Sequence, residues 1–307
     1  MEEITSASNS RVRRLVLLRQ KAKERRQSQS FVIEGERLVL DAPTEQLEEV
    51  YITRAALDRV GERIKPLEGK LILLSEDAMA KAADTISPQG ILAVARQPQY
   101  ILQDLLGNRA LQGGRKPPLL LILEDIQDPG NLGTMFRTAE AAGVTGILMS
   151  RGTVDVFNPK TVRSTMSSVF RMPFVVTEDF HGALRELQEK GIRLYAACLQ
   201  ESRSYDRETY LGSCGFLIGN EGNGLTEETI RLADARIHIP MEGSIESLNA
   251  AMSAGILMYE ALRQRHLQYR EPEMHSHNYR KEGRIWQFRR SDLSDLETWQ
   301  RPSSAEF

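Results

Sequence analysis

Short apolar runs recur along this chain, and the polar stretches between them carry further apolar residues at helical spacing. Phe31–Ile33, Tyr51–Thr53, Leu71–Leu74 and Ile91–Val94 are such runs, and they predict a small α/β layer structure over residues 1–98. Residues 99–116 contain Gly113-Gly114 and lead into Pro117-Pro118, which predicts a linker. Leu119–Leu123 then opens a second domain, predicted over residues 117–265, with an aliphatic run of the kind buried on both faces of a parallel sheet. Gly146–Met149, Ile192–Ala197, Gly215–Ile218 and Ile237–Ile239 continue the series, with helical segments between most of them. The pattern predicts an α/β fold, a mainly parallel sheet with helices on both faces. Residues 266–307 are polar, and they predict a disordered or loosely docked extension.

Composition changes that picture little. Hydrophobic residues make up 41 % of the 307 and charged residues 27 %, the balance of a soluble globular protein of one or two domains. No apolar run approaches the ~18 residues of a membrane helix. The opening MEEITSASNS lacks the basic and apolar regions of a secretory signal, and Cys198 and Cys214 make no disulfide framework. A cytoplasmic protein is expected. His275 and His277 lack a ligand partner at a recognisable spacing, so no metal site is expected.

Charge is more informative in its distribution than in its total. Between Arg11 and Arg26 stand Arg11, Arg13, Arg14, Arg19, Lys21, Lys23, Arg25 and Arg26 against a single acid, Glu24. That run carries +7 in a chain of net charge −2, so the remainder carries −9. Such segregation fits a polyanion, although a solvated helix face has the same signature.

Three motifs of the second domain combine turn residues with candidate chemistry. In the first, the strand ending at Leu123 passes through Glu124 and Asp125 to Asp128-Pro129-Gly130-Asn131 and a helix. Asn131 is its expected N-cap, Leu132, Met135, Phe136 and Ala139 its apolar stripe, Gly143 its C-cap, and Arg137 lies opposite the stripe. Ligands of open α/β sheets gather at this carboxyl end of the strands. The second motif runs from Gly215 to Leu225 and holds Gly219, Asn220, Glu221, Gly222 and Gly224. It is neither a P-loop nor G-x-G-x-x-G, and its carboxylate suits a cationic cofactor better than a pyrophosphate. The third passes from Ile239 and Met241 to Ser247, Leu248 and Asn249, where a long helix is expected to start near Ser247 with Leu248, Met252, Gly255 and Tyr259 on one side.

Order and spacing of the three motifs resemble the SpoU (TrmH-like) branch of the SPOUT RNA methyltransferases. The resemblance rests on Asp128, Pro129, Asn131, Gly133 and Arg137, then Gly219, Asn220, Glu221, Gly222 and Gly224, then Ser247, Leu248 and Asn249. Phe31 and Glu34-Gly35 extend it to the N-terminal substrate-binding domain of such enzymes. One departure is visible, since relatives often have glycine where Ser167 stands. The resemblance implies a C-terminal domain with a trefoil knot, a small α/β RNA-binding domain before it, and a homodimer. It implies S-adenosylmethionine as cofactor, held by Leu217, Ile218, Gly219, Asn220, Gly222, Ile239, Met241, Ser247, Leu248 and Asn249. It implies methyl transfer to a ribose 2′-hydroxyl, with Arg137, Asn131, Glu221 and Asn249 as catalytic residues. The implied RNA contacts are Arg11, Arg13, Arg14, Lys21, Lys23, Arg25 and Arg26. Ribosomal RNA of the large subunit is favoured over transfer RNA, because leaner relatives acting on transfer RNA usually lack the N-terminal domain. A transfer-RNA methyltransferase and a non-catalytic RNA-binding protein are the alternatives.

Overall fold

The computed structural model describes residues 2–107, 117–245 and 247–268. Most of the expected polar extension, including His275 and His277, lies outside them. Near the N-terminus the chain runs through β1 (Glu2–Ile4), α1 (Ser10–Gln20), α2 (Ala22–Ser28), β2 (Ser30–Glu34), α3 (Glu36–Asp41), β3 (Leu47–Ile52), α4 (Arg54–Val60), β4 (Leu71–Leu74), α5 (Glu76–Ala82) and β5 (Ile91–Arg96). Its five strands form one mixed sheet in the order β1-β4-β3-β5-β2. The alternation along β2 and β5 sends Val32, Leu92 and Val94 towards α1 and α5, and Phe31, Ile33 and Ala93 to the other face. β1 was not expected, because its three residues show only one apolar position, Ile4, which is buried beside β4.

The second sheet is built from β6 (Leu119–Leu123), α6 (Pro129–Ala142), β7 (Gly146–Ser150), α7 (Pro159–Thr165), β8 (Phe174–Thr177), α8 (Phe180–Glu189), β9 (Arg193–Ala197), β10 (Arg203–Ser204), β11 (Cys214–Ile218), α9 (Glu227–Leu232), β12 (Ala235–His238) and α10 (Ala250–Gln268). Its seven strands, in the order β10-β12-β9-β11-β6-β7-β8, are parallel throughout. The apolar runs are continuous because both faces are covered. Leu120, Ile122 and Leu217 lie in the core with Leu184 and Leu187 of α8, while Leu121, Leu123 and Ile218 lie in the core with Phe136 of α6 and Leu257 of α10. β8 and β10 were not expected; β10 is only two residues long. After β12, at the far side of β9, the chain returns to pack α10 on α6 and β11.

The two sheets are not beads on a flexible string. Phe31 of β2 meets Phe157 at a ring distance of 4.6 Å and Phe170 at 5.9 Å, and residues of both sheets belong to one buried cluster. Expected linker residues also pack: Leu105 is fully buried, and a Cβ on Gly146 of β7 would lie 2.6 Å from its Cα. Residues 108–116 lie outside the described residues.

Candidate active site

α6 begins earlier than expected. Asp128, not Asn131, is the N-cap; its Oδ1 accepts the Asn131 amide at 2.8 Å, and Pro129 occupies the first helical position, where its missing N–H costs nothing. The hydrogen bond from the Asn131 amide, aided by Lys160 at 3.5 Å, outweighs partial burial and holds the Asp128 carboxyl below its ordinary range. Moving the cap frees the Asn131 side chain for the neighbouring motifs.

Asn131 then joins all three motifs. Its Nδ2 donates to Glu221 Oε1 at 3.0 Å, and its Oδ1 accepts Asn249 Nδ2 at 2.9 Å. Asn249 Oδ1 in turn accepts the amides of Ala251 and Met252, capping α10. The polarity of this chain has one solution: a carboxylate only accepts, so Asn131 must offer its NH2 to Glu221 and its oxygen to Asn249. α10 therefore starts at Ala250, just past Asn249 rather than near Ser247.

Glu221 accepts three hydrogen bonds from the start of α6. Besides Asn131, the amides of Asp128 (3.1 Å) and Gln127 (3.0 Å) donate to its two oxygens. Partial burial opposes its ionisation, but these donors prevail and lower its pKa. The loop bearing it is braced along its length. Asn220 and Gly224 exchange backbone hydrogen bonds at 3.0 and 2.9 Å, and Asn220 Oδ1 accepts the amides of Gly222 and Asn223. A Cβ on Gly219 would lie 2.1 Å from the Gly224 carbonyl carbon, so only glycine fits there. At the loop's end, the Thr226 amide and hydroxyl and the Thr229 hydroxyl all donate to Glu124, a buried carboxylate. Glu124 and Gln127 carry no role in the sequence pattern; the one signal is an acid directly after a fully apolar strand.

Other expected residues are placed differently. Leu217 points into the core beside α8, and Ile122 of β6 and Ala196 of β9 flank it in the sheet. Ile218 is buried too, and its carbonyl accepts the Glu124 amide at 2.9 Å. Arg137 stands on the exposed strip of α6, about 9 Å along the axis from Asn131. It makes no hydrogen bond or ion pair among the described residues, unlike the asparagines and glutamate near it.

The segment from Ile239 to Leu248 contrasts with the braced loop. None of its described residues makes a hydrogen bond to a described residue, although Ile239, Met241 and Leu248 are half-buried and Ser247 is exposed. Free amides and carbonyls beside apolar side chains are what an adenosine needs: flat walls for the base and backbone groups for its edge. The glycine loop and Ile239, Met241 and Leu248 thus fit an S-adenosyl cofactor by their donor set.

The basic run is largely spent on the protein itself. Arg25 is only 3 % exposed; it donates to Asp155 at 2.6 Å and to the carbonyls of Leu18 and Arg19. It is a strut between the two sheets, not an RNA contact, because a guanidinium so enclosed cannot reach a phosphate. Arg11 pairs with Glu2 and Glu49, and Arg14 with Glu48 and Glu49. Arg13, Lys21, Lys23 and Arg26 remain exposed.

Residues 118–259 match the model of the SpoU rRNA Methylase family, and residues 9–93 that of the MRM3-like substrate binding domain. The 23S rRNA (guanosine(2553)-2′-O)-methyltransferase RlmP of Bacillus subtilis is 37 % identical over 262 residues, covering 84 % of this chain and 98 % of that one. The AdoMet-bound rRNA methyltransferase from Sinorhizobium meliloti superposes with a TM-score of 0.73 at 31 % identity, over 85 % of this chain and 97 % of that one. The SpoU methyltransferase AviRb from Streptomyces viridochromogenes, solved with AdoMet, gives 0.72 at 25 % identity, over 84 % and 100 %. With the three motifs joined at Asn131 on a seven-stranded parallel sheet, the chain belongs to the SpoU rRNA Methylase family and has its knotted SPOUT fold.

Proposed function

We propose that this protein transfers a methyl group from S-adenosylmethionine to a ribose 2′-hydroxyl of large-subunit ribosomal RNA. The observation that carries the reading is the Glu221–Asn131–Asn249 junction, with Arg137, unpartnered among the described residues, further along the same helix. S-adenosylmethionine, when bound, supplies an electrophilic methyl on a cationic sulfur. The chain's own contribution is alignment and charge. Glu221 and Asn249 clamp Asn131 from both sides, so Glu221 fixes the glycine loop against α6. Arg137, always charged, is a poor proton acceptor; its role is to stabilise the oxyanion as the hydroxyl loses its proton, or to hold the neighbouring phosphate.

Arg13, Lys21, Lys23 and Arg26 supply the exposed charge for RNA, and Arg11 and Arg14 contribute only what their glutamates leave. A homodimer is supported by α10, where Met252 is 59 % exposed, Tyr259 49 % and Leu267 55 % along one side of the helix. Among the described residues no helix is long and apolar enough to cross a membrane, and we place the protein in the cytoplasm.

The test is transfer of labelled methyl from S-adenosylmethionine to unmodified 23S ribosomal RNA, with transfer RNA alongside and Arg137→Ala as control. Label in ribosomal RNA that the mutant loses supports the reading. Label confined to transfer RNA moves the substrate, and S-adenosylhomocysteine binding without any transfer leaves an RNA-binding protein.

A further inference from the structure

The N-terminal signature Glu34-Gly35 has no part in the chemistry above, yet both residues hold one loop. Glu34 Oε2 accepts the Asp84 amide at 2.7 Å, and its Oε1 takes the Thr85 amide (3.3 Å) and the Thr85 hydroxyl. Gly35 sits at φ +106°, and a Cβ there would lie 3.2 Å from Gln89 Oε1, which accepts the Glu36 amide at 2.8 Å. Gly90, at φ +75°, closes the far end; its carbonyl accepts the Thr53 amide at 2.8 Å, and a Cβ would meet Thr53 Oγ1 at 2.6 Å. Both ends of the 84–89 loop are therefore fixed by dedicated contacts. At its tip stands Ile86, 104 % exposed.

A lone exposed apolar residue usually needs no explanation. Here several polar groups hold a short loop whose tip is a β-branched side chain entirely in water. That is the construction of a wedge, not of a tolerated surface residue. Its location bears on the partner. Asp84 pairs with Arg163 of α7 at 2.7 Å and with Arg19 of α1 at 3.9 Å. Arg25 of α2 grips Asp155, three residues before the Asn158 cap of α7. On its other side α7 lies against α6, where a Cβ on Gly133 would meet Ser164 at 2.3 Å. The loop, through Asp84, and the helix that carries Arg137, through Gly133, thus both pack on α7.

We propose that Ile86 is an RNA-contacting wedge that packs on an unstacked base of the substrate. The proposal rests on the RNA-methylating reading above for its choice of ligand. Apolar side chains inserted between bases are a recurring device of nucleic-acid binding, and RNA presents unstacked bases in loops and bulges.

The experiment titrates the full chain with an unmodified 23S ribosomal RNA transcript at several salt concentrations, for wild type, Ile86→Ser and Ile86→Phe. Ile86→Ser should weaken binding roughly fivefold or more with an unchanged salt slope and melting temperature, and Ile86→Phe should restore it. Equal affinity for Ile86→Ser and wild type overturns the proposal and turns the loop towards a protein partner. Methyl transfer is read on the same samples. Wild type that binds RNA without transferring methyl defeats the catalytic reading and leaves the wedge comparison intact.

Discussion

The basic run on α1 and α2 and the first turns of α6 use cations in opposite ways. In the first region, arginines are numerous and most of those with long reach are paired: Arg11 and Arg14 with glutamates of β1 and β3, Arg19 with Asp84, Arg25 with Asp155. In the second, one arginine is left without a partner among the described residues, while Asn131, Glu221 and Asn249 satisfy one another. A charge in a sequence is therefore not a charge available to a ligand. A paired guanidinium has already exchanged its hydration for a carboxylate, and a phosphate must compete with that carboxylate. Arg137 offers its whole fork.

The largest effect is expected from Arg137→Ala. Methyl transfer should fall about a hundredfold or more, with S-adenosylhomocysteine still raising the melting temperature as in wild type. Turnover within a few-fold of wild type would remove Arg137 from the chemistry. Next comes a pair of variants on the basic run. Arg25→Ala should cost about 2 to 3 kcal/mol in denaturant unfolding, because Asp155 and two carbonyls lose their donor. Arg26→Ala should leave stability alone and instead reduce the slope of log K against log salt by roughly 0.7 to 0.9. If Arg25→Ala unfolds like wild type but binds RNA with a flatter slope, Arg25 belongs with the RNA contacts after all.

A smaller effect is expected just after α7, which packs on α6. Ser167 is buried at φ 73°, directly after Met166 at φ 50°, and its hydroxyl has only a 3.5 Å contact with Asp41. The glycine that relatives often carry there removes a left-handed strain, so Ser167→Gly should stabilise by about 1 kcal/mol. A lower unfolding midpoint for Ser167→Gly would mean that the hydroxyl contact outweighs the strain. The smallest effect concerns Glu221. Its folded pKa lies below the ordinary value of 4.5, so its stabilising contribution is complete above that value and is lost as pH falls through the folded pKa. Wild type should therefore lose stability on acidification below about pH 4.5 more steeply than Glu221→Gln. Parallel acid limbs would mean that the carboxylate does not tie the loop to α6.

Much of this was legible beforehand. Leu119–Leu123 and Cys214–Ile218 read as doubly covered strands because continuous aliphatic runs have few other stable homes. Gly143 read as a helix end, and it does cap α6 with φ 73°. The cap of α6 was misplaced by three residues, because Asp128 and Asn131 are both good caps and only the Pro129 ring, which favours the first helical position, separates them. Leu217 enters the expected cofactor set only through the family resemblance, and strand alternation turns its side chain into the α8 core. β1 has a single apolar position and does not announce itself, whereas β8 is as long as the expected β4 and was not singled out.

The sequence by itself determined the parallel sheet, the order of the three motifs and the family, because burial patterns and turn residues are local and survive without knowledge of their neighbours. Only the tertiary structure decided which of the many polar groups are occupied. Hydrogen bonds and ion pairs are made between residues about ninety to 130 positions apart, as for Asn131 with Glu221 and Arg25 with Asp155. The return of the chain from β12 to α6 brings Asn249 to Asn131 across 118 positions. Spacing along the chain carries no record of such closures, since what sets them is the packing of elements, and a carboxylate serves whichever donor that packing presents.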